Sequence, residues 1–167
     1  MSGPGSLRGS PNMHNLGKID PVPALNVTQY LGRWYQMYTD VLTNDTIYMG
    51  DSTCVTADYG TWPNGTVSVT NSARLHTPTG ALDQILGWAA PAAAGSTSGA
   101  FTVHLQGVPV AAPYTVALLG PPTFNGNKYE FAIVTDPEGL TLFVLARDPA
   151  TFRKNFDTVC VEWLKTH

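Results

Sequence analysis

Residues Tyr30–Tyr38 read Tyr-Leu-Gly-Arg-Trp-Tyr-Gln-Met-Tyr, and they decide the expected fold. Aromatic residues and methionine suit a pleated, half-buried strand. Period-two alternation places Trp34, Gln36 and Tyr38 on one face of that strand. Gly32 lies two positions before Trp34, and a glycine in a strand pattern marks a bend or a close backbone approach. We therefore predict that this stretch is the first strand of a sheet, with the indole of Trp34 buried.

Seven further short runs of alternating apolar and polar residues follow, separated by turn signals such as Asn64-Gly65 and Asn125-Gly126. The predicted strands are Gly32–Leu42, Asp51–Thr61, Thr66–His76, Ala81–Ala90, Ala100–Gln106, Tyr114–Gly120, Lys128–Thr135 and Leu140–Ala146. Short turns between successive strands give an up-and-down meander, whose two edges stay exposed unless the sheet closes. We predict an all-β fold, an eight-stranded antiparallel up-and-down barrel.

The tail of the chain changes character at Asp148-Pro149, which supplies an N-cap and a first-turn proline. Apolar residues then recur at steps of three and four, at Phe152, Phe156, Val159 and Trp163. The pattern predicts a C-terminal α-helix that packs on the outside of the barrel.

Length and composition indicate one domain of 167 residues. We expect residues 1–20 to form a flexible leader, partly an expression-tag remnant, and residues 21–167 to form the single domain. The net charge is −3 and no basic cluster occurs, so we predict no nucleic-acid partner. No apolar run approaches the length of a transmembrane segment.

Residues Pro23–Tyr35 resemble the N-terminal signature of the lipocalin family, and they are most similar to the branch of apolipoprotein D and the bacterial lipocalins. Cys54–Tyr59, Gly65–Asn71 and the tail from Tyr129 resemble later parts of the same family. Pro137 departs from many members, which carry a tyrosine-containing motif there.

The resemblance assigns a structural role to three residues, Gly32, Trp34 and Arg147. In the family, the tryptophan of a Gly-x-Trp strand plugs the closed end of the barrel. An arginine at the end of the last strand lies over the indole, and here it would be Arg147. A guanidinium on an indole stabilises a fold by about 0.5–2 kcal/mol.

Alternation aligned on Trp34 and Arg147 gives the interior of the barrel, because residues of one parity line it. The candidate ligand-binding residues are Gln36, Tyr38, Ala57, Tyr59, Val69, Asn71, Gly87, Phe101, Val103, Leu105, Tyr114, Val116, Val134 and Phe143. The same parity adds Val55, Val67, Ile85, Leu118, Ala132, Thr141 and Leu145. An apolar wall with a few polar groups suits a hydrophobic ligand with one polar end. A barrel filled by its own side chains is the alternative.

The expected function is the binding, and the transport or storage, of a small hydrophobic molecule. Fatty acids, sterols, retinoids, carotenoids and tetrapyrroles are all consistent with the lining. No cofactor is required, although a bound pigment is compatible with this interior. We expect Tyr38, Tyr59, Asn71 and Tyr114 to supply polar contacts. A third kind of function is protein binding through the loops Thr43–Gly50 and Pro91–Gly99.

Two cysteines, Cys54 and Cys160, allow one disulfide or two free thiols. Some lipocalin enzymes, the prostaglandin D synthases, use a cavity cysteine as nucleophile, so the alternative function is an enzyme that isomerises a lipid with Cys54. However, Cys54 has the parity opposite to the lining. It resembles a family cysteine that pairs with one near the C-terminus, and the resemblance therefore favours a Cys54–Cys160 disulfide.

Three N-glycosylation sequons, at Asn26, Asn44 and Asn64, favour a secreted, extracellular protein. The four histidines are scattered and have no metal-ligand spacing, so we predict no metal site. No Ser-His-Asp arrangement can be assigned, and no catalytic residues are predicted.

Overall fold

A computed structural model of the protein describes residues 17–41, 43 and 51–167. Eight antiparallel strands close into one barrel in chain order, so the predicted all-β architecture is confirmed. The strands are β1 Gly32–Thr39, β2 Ser52–Thr61, β3 Val67–Leu75, β4 Leu82–Pro91, β5 Ala100–Leu105, β6 Ala112–Leu119, β7 Phe131–Thr135 and β8 Leu142–Ala146. One continuous wall of strands therefore surrounds the interior of the barrel.

Two strands differ from their predicted bounds by three residues, each for a local reason. β1 ends at Thr39, because the carboxylate of Asp40 accepts a hydrogen bond from the backbone N–H of Thr43 (2.8 Å) and the chain turns. β7 begins only at Phe131, because Phe124 and Lys128 pair with each other in the preceding turn. The rest of the predicted loop after Thr43, with the sequon at Asn44, lies outside the described residues.

Bulges interrupt three of the strands. The register shifts between Gln36 and Tyr38 in β1, between Thr53 and Thr56 in β2, and between Val116 and Leu118 in β6. A bulge adds one residue to a strand, so side chains beyond it change face. The alternation read from the sequence consequently fails after the bulges of β1 and β6, whereas in β2 the residues Val55, Ala57 and Tyr59 line the interior as predicted.

Tyr38 and Leu118, both predicted to line the interior, lie on the outside for this reason. The hydroxyl of Tyr38 donates a hydrogen bond to Asp157 (2.5 Å), and its side chain is 40% exposed. Leu118 packs against an outer cluster that contains Phe152 and Cys160. Neither side chain is available to a ligand inside the barrel.

The tail packs on the outer wall as two helices, not as the single predicted one. These are α2, Pro149–Asn155, and α3, Asp157–Thr166, and the helical backbone is interrupted at Phe156 (φ −125°, ψ −16°). The Asp148 side chain caps α2 by accepting a hydrogen bond from the N–H of Thr151 (2.7 Å). Phe152 and Cys160 are fully buried against strands β7 and β8.

The N-terminal segment crosses to the barrel before the first strand begins. Ile19 donates a backbone hydrogen bond to Pro137 (2.9 Å), two residues before the expected domain boundary. Val22 bonds to both Val116 and Gly99. A short helix, α1 Val27–Tyr30, then leads into β1. Among the described residues, no helix has the length and apolar character needed to cross a bilayer.

Candidate functional site

The closed end of the barrel is built around Trp34 and Arg147. The indole is fully buried, and the guanidinium carbon of Arg147 lies 3.7 Å from the centre of its ring. The indole N–H donates to the carbonyl of Tyr30 (2.9 Å), which ties α1 to β1. Gly32 has φ +105°, and a Cβ there would lie 3.2 Å from the Arg147 guanidinium. The three residues thus form one sealed floor.

Arg147 is a buried cation whose hydrogen bonds go to backbone carbonyls. Its five bonds, of 2.9–3.2 Å, reach the carbonyl oxygens of Gln29, Tyr30, Leu31, Arg33 and Tyr129. Burial lowers the pKa of Arg147 to about 10, so it is still charged at neutral pH. Carbonyls left open at the end of α1 are satisfied by this side chain.

A cavity of about 180 Å³ lies above that floor. Its lining includes most of the predicted ligand-binding residues: Gln36, Ala57, Tyr59, Val69, Asn71, Phe101, Val103, Leu105, Tyr114 and Phe143. Val55, Val67, Thr141 and Leu145, from the wider inward set, also line it. The interior is therefore not filled by its own side chains.

Several residues of the predicted set lie elsewhere. Val116, Val134 and Ala132 are buried in the core around the floor and do not line the cavity. Gly87 contributes to the wall of an outer groove, and Ile85 does not reach the cavity. The floor is thicker than alternation suggests, because Val22 and Leu25 of the N-terminal segment pack into it.

Other lining residues were missed by the sequence analysis: Leu25, Val27, Tyr30, Leu31, Thr56, Ala89, Ala112 and Pro113. Ala89 continues the parity of Ile85 and Gly87 within the predicted strand Ala81–Ala90, and following the alternation to the end of that strand would have found it. Thr56 follows the bulge in β2, which the sequence does not mark. The residues around α1 could be placed only by knowing that the helix caps the barrel.

Three tyrosines form a hydrogen-bonded cluster in the cavity wall. The hydroxyl of Tyr114 lies 2.8 Å from that of Tyr30 and 2.9 Å from that of Tyr59. The rings of Tyr30 and Tyr59 stack with centroids 5.7 Å apart. Burial raises the pKa of Tyr30 and of Tyr114 well above the usual value, so both stay protonated. The cluster is an uncharged polar group in a mostly apolar space.

Both cysteines are free thiols in the structure, so the expected Cys54–Cys160 disulfide is not formed in it. Cys54 is exposed at the bulge of β2, with φ 52°. Cys160 is buried under α3 against β7 and β8, and burial raises the pKa of its thiol to about 12. Neither sulfur lines the cavity, and Cys54 is not placed to act there as a nucleophile.

A second concave surface lies on the outer face of β3, β4 and β5. This outer groove, of about 580 Å³, is lined by Trp62, Ser68, Val69, Thr70, Leu86, Gly87, Trp88, His104, Leu105 and Gln106. Trp88 and His104 stack in this groove with ring centroids 3.9 Å apart. The groove is more open to solvent and more polar than the cavity, so it is the poorer site for a hydrophobic molecule. Among the described residues, no group of three His, Cys, Asp or Glu side chains could hold a metal ion.

Comparison with known proteins gives the family. The family model of the lipocalin-like domain matches residues 25–163, and the chain belongs to that family. The cockroach major allergen Per a 4 superimposes with a TM-score of 0.53 at 17% identity, over 86% of this chain and 84% of the allergen. Lobster apocrustacyanin A1 gives a TM-score of 0.48 at 17% identity, over 80% and 76% of the two chains. No curated protein matches the chain.

Proposed function

We propose that this protein binds a small hydrophobic molecule inside the barrel and carries or stores it. The observation that supports the proposal is the apolar cavity itself, closed at one end by Trp34 and Arg147. Burying apolar ligand surface there is favourable by about 25 cal/mol per Å². A lipocalin-like barrel without a filled interior is suited to this task.

A carrier is favoured over a lipid-isomerising enzyme by the position of the thiols. The enzymatic alternative depended on Cys54 as a nucleophile within the cavity, and Cys54 lies outside it. We also propose that the protein is secreted. Two of the sequon asparagines, Asn26 and Asn64, are exposed and therefore open to modification.

A cavity-blocking variant tests the proposal. Ala112 lines the cavity at the start of β6 and is itself exposed, so an indole can be added there with little overpacking. We expect Ala112→Trp to reduce binding of 1-octanol, measured by isothermal titration calorimetry, at least about tenfold. The matched control, Ala94→Trp, adds the same group to an exposed turn and should bind like the wild type.

Equal binding by Ala112→Trp and the wild type would contradict the proposal, because the ligand would then lie outside the barrel. Organic-solvent extraction of protein from its natural source, followed by mass spectrometry, should recover the bound molecule. An absorbance spectrum of the same material shows whether that molecule is a pigment.

A further inference from the structure

We propose that the ligand carries an uncharged hydrogen-bonding group, a hydroxyl or a carbonyl, and that this group lies deep in the cavity at the tyrosine cluster of Tyr30, Tyr59 and Tyr114. The inference rests on the proposed function and restricts the chemical class of the ligand. It sets alcohols, ketones and aldehydes apart from fatty-acid anions, which the sequence left open.

None of the described residues that line the cavity has a charged side chain. Among the described residues that line it, the polar side chains are Tyr30, Gln36, Thr56, Tyr59, Asn71, Tyr114 and Thr141, and every other one is apolar. A carboxylate moved from water into such a space loses its hydration without gaining a counter-charge. A hydroxyl or a carbonyl loses far less hydration free energy, and one hydrogen bond to the protein replaces its hydrogen bonds to water.

Arg147, the cation of the floor, does not provide that counter-charge. It is 4% exposed and does not line the cavity. Its guanidinium lies against the indole of Trp34, and its five hydrogen bonds go to backbone carbonyls. A ligand would have to displace the floor of the barrel to reach it.

The tyrosine cluster has the chemistry to recognise a neutral group. Tyr114 joins the other two hydroxyls, at 2.8 and 2.9 Å. Because a phenol both donates and accepts hydrogen bonds, the cluster can rearrange to receive either a carbonyl or a hydroxyl. The raised pKa of Tyr30 and of Tyr114 keeps these donors protonated.

The cluster lies at the deep end of the cavity, because the ring of Tyr30 packs on the indole of Trp34 in the floor, with centroids 5.0 Å apart, and Tyr114 bonds to Tyr30. Tyr59 pairs with Gly32 at the start of β1, whereas Asn71 pairs with Ala57 and thus lies two residues further along the ladder toward the open end. The ligand therefore enters with its polar group first and leaves its apolar body among the aliphatic residues above. A carboxylate could bind only with its head at the open mouth, out of contact with Tyr114.

Three ligands of equal chain length test the inference: 1-octanol, 2-octanone and octanoate, at about pH 7.5, where a carboxylic acid is ionised. Calorimetry on the wild-type protein should show the alcohol and the ketone binding at least about tenfold more tightly than octanoate. Tyr114→Phe removes the central hydroxyl and should weaken the alcohol and the ketone about three- to tenfold, with octanoate unchanged. Tyr35→Phe, on the exposed outer face of β1, is the matched control.

The outcomes separate this inference from the function on which it rests. If none of the three ligands binds, the proposed function is wrong. If octanoate binds as tightly as octanol, the cavity is a lipid site but the preference for an uncharged group is refuted. If octanol is preferred but Tyr114→Phe binds it unchanged, the polar group lies elsewhere. The comparison of ligands on the wild type does not depend on how well the variant folds.

Discussion

Arg147 shows how one side chain holds several parts of the chain together. No carboxylate of the described residues lies within hydrogen-bond distance of its guanidinium, and five backbone carbonyls solvate the charge instead. Lys128 adds two bonds, of 3.0 Å, to the carbonyls of Thr28 and Leu31. Burial lowers the pKa of Lys128, and the nearby charge of Arg147 lowers it further. Two cations thus complete the C-terminal end of α1, where cations are favourable.

Replacing Arg147 should destabilise the protein strongly. Arg147→Ala leaves buried carbonyls without donors and removes the contact with Trp34, and we expect a loss of about 3–5 kcal/mol in the free energy of unfolding. Arg147→Lys keeps the charge but cannot reproduce the planar guanidinium and its hydrogen bonds. Its free energy of unfolding should therefore lie between those of the wild type and Arg147→Ala. Urea unfolding measures both. Arg153→Lys, on the exposed side of α2, is the control and should change little.

Tyr38, unlike Arg147, lies on the outside of the barrel, because the bulge in β1 turns its side chain away from the interior. Its hydroxyl bonds to Asp157 on the outside, and its side chain is 40% exposed. Tyr38→Phe should therefore cost less than about 1 kcal/mol in stability and leave octanol binding unchanged. If Tyr38→Phe weakened octanol binding as much as Tyr114→Phe does, Tyr38 would have to contact the ligand inside the cavity, and its placement on the outside would be wrong.

At the scale of elements, the hairpin between β7 and β8 is organised by one carboxylate. Asp136 accepts hydrogen bonds from the backbone N–H groups of Glu138, Leu140 and Thr141 and from the Thr141 hydroxyl, at 2.7–3.3 Å. Burial acts to raise its pKa, but these bonds outweigh burial, and the pKa is lowered. The hairpin is thus most stable with Asp136 ionised.

Because the pKa of Asp136 is lowered in the folded protein, the stability difference between the wild type and Asp136→Asn depends on pH. A folded-state pKa below the unfolded value of about 3.9 gives stability that is complete above that pH and is lost as the pH falls through the folded pKa. At about pH 7 the variant should be less stable by about 1–3 kcal/mol. The difference should shrink below about pH 4. Asp20→Asn, in an exposed segment, is the control, and a constant difference for Asp136→Asn at all pH values would contradict the account.

The helices of the tail protect one of the two thiols. Cys54 is exposed, whereas Cys160 is fully buried and its pKa is raised to about 12. A thiol reagent should label one cysteine under native conditions and both after unfolding in denaturant, counted by mass spectrometry. Labelling of neither cysteine until a reductant is added would establish the disulfide that the family resemblance implied.

The sequence predicts the elements of this fold better than it predicts which face of a strand a side chain takes. The eight strands follow from alternation and turn residues, and the floor follows from Gly32, Trp34 and Arg147. Tyr38 and Leu118 were misplaced because a bulge leaves no local mark in the sequence. Tyr30 was missed in the cavity because its position depends on α1 folding back over the barrel, a long-range contact. The break between α2 and α3 at Phe156 is likewise hidden within a continuous apolar period.

At the scale of the whole molecule, two separate apolar clusters stabilise the barrel, one inside it and one outside it. Inside, Trp34, Leu25, Val116 and their neighbours seal one end and leave the space above them open. Outside, Phe152 and Cys160 of the tail pack over β7 and β8. The barrel wall is thus supported from without, and its interior need not be filled for the fold to be stable.

This division predicts different effects for the two layers. Phe152→Ala, in the outer cluster, should cost about 3–5 kcal/mol in the free energy of unfolding, because it leaves a cavity in a packed core. Val103→Ala, in the cavity wall, enlarges a space that is already open and should cost less, about 1–2 kcal/mol. Urea unfolding compares them. Equal costs would indicate that the interior is as tightly packed as the outer cluster.

A crystal structure of the protein with 1-octanol tests the central claim most directly. We predict density for the alkyl chain inside the barrel among Val69, Val103 and Phe143, with the hydroxyl within hydrogen-bond distance of Tyr114. Density only in the outer groove beside Trp62 and Trp88, or an interior closed by side chains with no room for octanol, would contradict it.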